Sequence, residues 1–197
     1  ETLFKWFSRE PFAAASIGQV HRATTDDGQE VVVKVQYPGV DGAVDSDLNH
    51  LKVAFLASGL IRIEKKALNA LVQELRERLH EELDYCNEAD NVRYFRELFK
   101  DNDRVVVPDV IGERSSKRIL TLTYEPGDHL QKLESLGYSQ EDRNLIGENF
   151  FEIFLDQLFK FKAIHADPNP ANFGFRRGGI IVMYDFGCVK RVKPEIA

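Results

Sequence analysis

The sequence predicts an α+β protein of two lobes, an antiparallel sheet with helices followed by an incomplete helical part. Three observations predict it. Residues 19–24 and 30–36 are two short runs rich in β-branched residues on either side of a turn signal, which reads as a hairpin. From 41 to 83 the apolar residues recur instead at the spacing of amphipathic helices. Residues 139–163 return to that spacing with large aromatic side chains, so a second core gathers late in the chain.

Each element follows in order. An aromatic lead-in (Phe4, Trp6, Phe7) and the segment Pro11 to Gln19 precede the hairpin, whose turn is Thr25-Asp26-Asp27-Gly28. Residues 1–36 therefore form a small antiparallel sheet. Val44, Leu48, Leu51, Phe55 and Leu56 predict a helix over 41–60 that ends near Gly59 and turns this face to the core. Ala67, Leu68, Leu71, Leu75, Leu79 and Leu83 predict a second, with Glu74, Arg76, Glu77 and Arg78 on its wetter side. More helix carries Tyr94, Phe95, Leu98 and Phe99. The apolar runs 105–107 and 119–124 then complete a five-stranded sheet. The helix over 139–163 points Ile146, Phe150, Ile153, Phe154, Leu158 and Phe161 inward, and fourteen phenylalanines in the chain allow a large core around it.

The chemistry concentrates late. His165-Ala166-Asp167-Pro168-Asn169-Pro170-Ala171-Asn172 is followed after an apolar run by Asp185-Phe186-Gly187. Alone, the first segment is also what a surface turn contains. Phosphoryl transfer needs a carboxylate near the attacking hydroxyl and oxygen ligands that hold Mg²⁺ on the nucleotide phosphates. Asp167 as base, with Asn172 and Asp185 as metal ligands, have the order and the five-residue spacing of a kinase active site. Lys34, inside a run of valines, then has two readings: a phosphate-holding lysine, or an edge-strand residue pointing to water. Ala13, Ala14, Ala15 and Ser16 stand where a kinase carries its Gly-rich phosphate loop. Their N–H groups are equally able to donate, but alanine resists left-handed backbone, and a small-residue patch under a helix is the competing reading. In the kinase reading 1–124 is the N-lobe, 125–128 a hinge whose backbone at Glu125 meets the adenine edge, and 129–197 the C-lobe.

Pro11 to Ala23, Lys34-Val35-Gln36-Tyr37-Pro38-Gly39-Val40, Glu82-Leu83-Asp84-Tyr85 with Glu88-Ala89-Asp90-Asn91, His165 to Asn172 and Asp185-Phe186-Gly187 together resemble the UbiB family. These atypical protein-kinase-like proteins, called ADCK in animals (ABC1), are linked to ubiquinone and other isoprenoid-lipid metabolism. The resemblance covers nearly the whole chain. It implies ATP and Mg²⁺ as cofactors, Glu88 as the partner of Lys34, and Glu82 and Asp84 as the family's Glu-x-Asp motif. By helical spacing alone, Asp84 and Glu88 share a face whereas Glu82 and Asp84 diverge. The family usually carries His-Ala-Asp-Pro-His-Pro-Gly-Asn, so Asn169 and Ala171 depart from it. Where that glycine needs positive φ, Ala171 costs about 1 kcal/mol, enough to shift the loop without removing a ligand. His165 is assigned to holding the loop. The resemblance implies that the family's N-terminal Lys-x-Gly-Gln extension is expected before the first residue here, and its later C-lobe helices after the last.

Composition sets the remaining bounds. With a net charge of -6 and a pI near 5.4, no nucleic-acid partner is expected. Cys86 and Cys188 form neither a metal cluster nor a disulfide framework, which fits an intracellular, reducing compartment. No apolar run approaches the roughly 20 residues of a membrane helix, so the segment is expected to be soluble, with any membrane or lipid association implied by resemblance alone. Two functions compete with an atypical kinase or ATPase: a nucleotide-sensing pseudokinase acting through a partner, and a small-molecule kinase of the aminoglycoside or choline kinase type. The alanine-rich segment argues against the last.

Overall fold

The computed structural model describes residues 3–15, 17–58 and 65–191, without the side chains of residues 57, 58, 65, 78 and 82. Ser16, Gly59 and the side chain of Glu82, all singled out in the sequence, lie outside the described residues. Four strands open the chain: β1 (Phe4–Phe7), β2 (Ala13–Ala15), β3 (Gly18–Thr25) and β4 (Glu30–Gln36). The β3–β4 turn is held by Thr25, whose hydroxyl accepts the Gln29 N–H at 2.9 Å, while Gly28 takes a φ of +92° that disfavours other residues. Helices α1 (Val40–Ser58), α2 (Lys65–Glu82) and α3 (Tyr85–Leu98) follow. Then come β5 (Val105–Val106), β6 (Ile119–Thr123), α4 (Gln140–Leu155), β7 (Ala163–His165), β8 (Phe173–Arg176), β9 (Ile180–Met183) and β10 (Val189–Arg191).

The first sheet has five antiparallel strands in the order β1-β3-β4-β6, with β2 also paired to β3. Its membership differs from the sequence expectation. Residues 105–107 were assigned to it, but β5 pairs in parallel with β9 instead, in a second sheet of order β5-β9-β8. The fifth strand is supplied by Ala13–Ala15. Read as an open loop, those alanines are drawn into a ladder against Val20, Gln19 and Gly18, because their backbone groups bond to β3 and their small side chains do not oppose it.

Two helical expectations also change. The run through Leu83 breaks, and Asp84 becomes the N-cap of α3, its carboxylate accepting the Cys86 N–H at 3.0 Å. The new helix restarts the phase and buries Tyr85, Glu88, Ala89, Val92 and Phe95 along one stripe. Among the described side chains of α1 only Leu48 is buried, against Leu68 and Val72 of α2, while Leu51, Phe55 and Leu56 are exposed. Among the described residues, no helix is long and apolar enough to cross a membrane.

The main core lies between α3, β6, α4 and the β5-β9-β8 sheet, around Phe95, Leu120, Leu122, Met183 and Phe186. Ser139 and Asp142 form a capping box that starts α4, which buries Ile146, Asn149 and Ile153. A π-helical segment, Asp156–Phe161, then changes the phase and buries Gln157, whereas Phe154, expected inward, is exposed. Lys162, at φ 53°, ends this segment and turns the chain into β7.

Candidate active site

Two ladders assemble the late motifs. In the first, β7 pairs antiparallel with β10, Val189 opposite His165, so Asp167 just after β7 and Asp185 just before β10 emerge together. The Ala166 N–H donates to Cys188 O at 2.8 Å and closes this junction. In the second, the β8–β9 hairpin pairs Phe173 with Met183, and Tyr184 N–H donates to Asn172 O at 2.9 Å. Asn172 therefore sits beside the start of Tyr184-Asp185. Its side-chain amide turns to Asp167, donating to Oδ2 at 2.8 Å and to the backbone oxygen at 3.2 Å. Asp167 is exposed.

Lys34 reaches this junction from the other sheet. Its strand β4 is central, flanked by β3 and β6, with Val20 and Leu120 beside Lys34 in the two ladders. The edge-strand reading is thereby excluded. Lys34 and Glu88 are both about 5% exposed, and Nζ lies 2.5 Å from Glu88 Oε1 and 3.0 Å from Asp185 Oδ2. Burial penalises the ammonium, but the two carboxylates outweigh it and hold its pKa above the usual lysine value. Burial pushes the Glu88 carboxyl up, against the Lys34 ammonium and the Phe186 N–H, which Oε1 accepts at 3.2 Å. For Asp185 burial likewise opposes the charge, and Lys34 with the Gly187 N–H at 2.9 Å overcomes it and lowers the pKa.

Phe186 points the other way. It is fully buried, 5.3 Å from the Phe95 ring and 5.6 Å from His165, and its carbonyl accepts from Asn91 Nδ2 at 2.9 Å. Asp185 thus faces the cleft because its neighbour is locked in the core. His165 is buried and donates from Nε2 to the Asp185 backbone oxygen, while its own N–H donates to Gln157 Oε1 at 2.7 Å. Burial lowers its pKa, and a neutral imidazole that fixes backbone is a holding role.

Two cavities meet at Lys34. One, of about 140 Å³, is mostly apolar, lined by Val20, Val32, Leu122 and Tyr184, with Thr123, Tyr124, Glu125 and Gly127 along one side. The other, of about 110 Å³, is polar and lined by Lys34, Tyr85, Glu88, Asp167 and Asp185. Ala13 lines the first, Ala15 the second, and Ala14 neither. Glu125 borders the apolar cavity, but its carboxylate pairs with Arg176 Nη2 at 2.8 Å, and Arg176 Nε donates to Pro126 O at 2.7 Å.

Several of these residues escaped the sequence reading. Tyr85 shares with Glu88 the i, i+3 stripe of α3, visible only once a helix start is set at Asp84. Asn91 and Arg176 act through hydrogen bonds whose partners are remote in sequence, Gln157 through the His165 N–H eight residues on, and Tyr184 through its place in the cavity wall, and no spacing pattern marks them.

A central lysine paired with a helix glutamate, opposite an Asp-Phe-Gly turn and an Asp/Asn loop, defines a protein-kinase-like fold. The model of the ABC1 atypical kinase-like domain matches residues 1–197, and the chain belongs to that family. It is 38% identical to the chloroplastic Protein ACTIVITY OF BC1 COMPLEX KINASE 8 of Arabidopsis thaliana, over 100% of this chain and 26% of that protein. It is 41% identical to the mitochondrial atypical kinase COQ8 of Saccharomyces cerevisiae, over 95% of this chain and 37% of the relative. The chain therefore spans between a quarter and two fifths of these relatives. Among solved structures, the Rv3197–erythromycin complex from Mycobacterium tuberculosis superposes with a TM-score of 0.80 at 34% identity, covering 96% of this chain and 48% of that one.

Proposed function

We propose that this chain is the nucleotide-binding part of an ABC1-type atypical kinase or ATPase that takes ATP with Mg²⁺ and transfers or hydrolyses its terminal phosphoryl group. The single observation that carries this is Lys34 standing between an apolar cavity and a polar cavity lined by carboxylates. Val20, Val32 and Leu122 would hold the base, Glu125 in the hinge segment 125–128 would meet its edge, and Lys34 with the Ala13–Ala15 strand would hold the phosphates. Asp185 and Asn172 are the metal ligands. Among the described residues no cluster of three or more His, Cys, Asp or Glu side chains could hold a metal. A carboxylate and an amide oxygen still fit Mg²⁺, which takes one or two protein oxygens plus phosphates and waters. When bound it neutralises charge on the phosphates.

The remaining steps belong to this chain. Lys34 offsets phosphate charge, and Asp167, exposed at the cleft, accepts the proton of the attacking hydroxyl or water. By kinship with COQ8 the product serves ubiquinone or another isoprenoid-lipid pathway, in a protein that meets a membrane, a lipid or a lipid-biosynthesis protein. One observation favours a second reading, a nucleotide sensor acting through a partner: Asn172 already holds the Asp167 carboxylate at 2.8 Å. Phosphate release by the full-length protein separates the two. Asp167→Asn is expected to lower it about a hundredfold, as loss of a general base does; equal release from both proteins leaves only the binding role.

A further inference from the structure

Tyr85 is a residue of the polar cavity that the nucleotide reading leaves unused. Asp84 caps α3 and so sets Tyr85 in its first turn, where the Tyr85 N–H donates to Lys117 O at 3.0 Å. The side chain is 3% exposed and lines the cavity beside Lys34, Glu88 and Asp185. Its hydroxyl is buried and has no hydrogen-bond partner among the described residues. Such a hydroxyl forfeits its water bonds on folding without replacing them, which is unfavourable unless something else in the cavity bonds to it. The neighbours that act on it electrostatically are those same three charged groups, and none bonds to it.

What it awaits is set by the company it keeps. The phenol stays protonated at neutral pH, since burial pushes its pKa up to about 12, so the group offers a proton. The acceptor must also suit the Lys34 ammonium, and it must bring a cation to share the cavity with three carboxylates. A phosphate oxygen of a metal-bound nucleotide meets both conditions.

We propose that the Tyr85 hydroxyl is a positioning donor that hydrogen-bonds a phosphate oxygen of the metal–nucleotide complex. This rests on the nucleotide reading of the site. The bond is charge-assisted, so its loss is expected to weaken phosphate binding about tenfold. Tyr85→Phe deletes only the hydroxyl and keeps the ring in the core.

The test is calorimetry on the full-length protein with ADP–Mg²⁺ and with adenosine, alongside unfolding of the ligand-free protein. Tyr85→Phe is expected to weaken ADP–Mg²⁺ about tenfold, leave adenosine unchanged, and leave the ligand-free melting temperature unchanged or slightly raised. A variant that binds ADP–Mg²⁺ like the wild type overturns the Tyr85 assignment alone. Equal weakening of ADP and adenosine, or a lowered melting temperature with no selective loss, also overturns it, since a packing role predicts those. Wild-type protein that binds neither ligand removes the nucleotide reading, and Tyr85 with it.

Discussion

Lys34 is a charge on a strand whose neighbours are valines, and it is kept there by two carboxylates from elements that lie 54 and 151 residues further along. Removing one partner of a buried pair leaves the other charge uncompensated, a loss of about 3–5 kcal/mol. Lys34→Ala is therefore expected to lower thermal stability as well as nucleotide affinity. The two roles separate in a double variant. Lys34→Met with Glu88→Leu replaces the pair by apolar side chains and is expected to recover much of the stability in a melting experiment while nucleotide binding stays lost. Recovery of binding in that variant would remove Lys34 from the phosphate site. Tyr85 is the complementary case, a residue whose hydroxyl gives the ligand-free protein nothing.

Among the elements, the decisive event is the break between α2 and α3. With no glycine or proline at 83–84, the leucine spacing runs straight through it, and Glu82, Asp84 and Glu88 read as positions on one helix. Capping by Asp84 restarts the phase, so that Glu88 turns inward to Lys34 and Asp84 holds the helix end. A second seam joins the segment after β6 to β8. Asp128 and Phe175 exchange backbone hydrogen bonds at 2.8 and 2.9 Å, and Tyr138 donates to Asp128 Oδ2 at 2.7 Å. Gly127 and Gly174 face each other there. A Cβ on Gly174 would lie 2.1 Å from the Tyr184 hydroxyl and 3.0 Å from Gly127 Cα. Gly174→Ala must displace the Tyr184 ring and crowds the 125–128 segment, and a loss of about 1–3 kcal/mol is expected in chemical denaturation. Adenosine affinity should fall with it, because that segment forms one side of the apolar cavity. Unchanged stability and affinity would mean that the seam does not position the cavity wall.

For the whole molecule, the consequence is that the two sheets are tied through the site itself: Lys34 to Asp185, and Glu88 to the Phe186 N–H. A ligand that bonds both sides stabilises the folded state by mass action, about 2.7 kcal/mol at a hundred times its dissociation constant. ADP with Mg²⁺ is expected to raise the melting temperature of the full-length protein. Asp185→Asn should abolish most of the Mg²⁺-dependent part of that rise and spare the metal-free part. Equal losses with and without metal would contradict the metal role of Asp185.

Local signals determined much of this protein in advance. The hairpin around Gly28, the helices α1 and α4, and the spacing of Asp167, Asn172 and Asp185 are written in short-range pattern, because turns, helical stripes and motif loops are each set by a few neighbouring residues, whereas Lys34 keeps two readings and Glu88 comes from the family resemblance alone. Longer-range choices were decided only in three dimensions. Whether Lys34 faces water depended on β6 arriving to cover the far side of its strand. Val105–Val106 joins β9 and not the first sheet, and Ala13–Ala15 becomes a strand, because strand partners are chosen by what the rest of the chain brings alongside. Tyr85 and Arg176 acquire their roles from groups remote in sequence, and a contact of that kind leaves no periodicity to read.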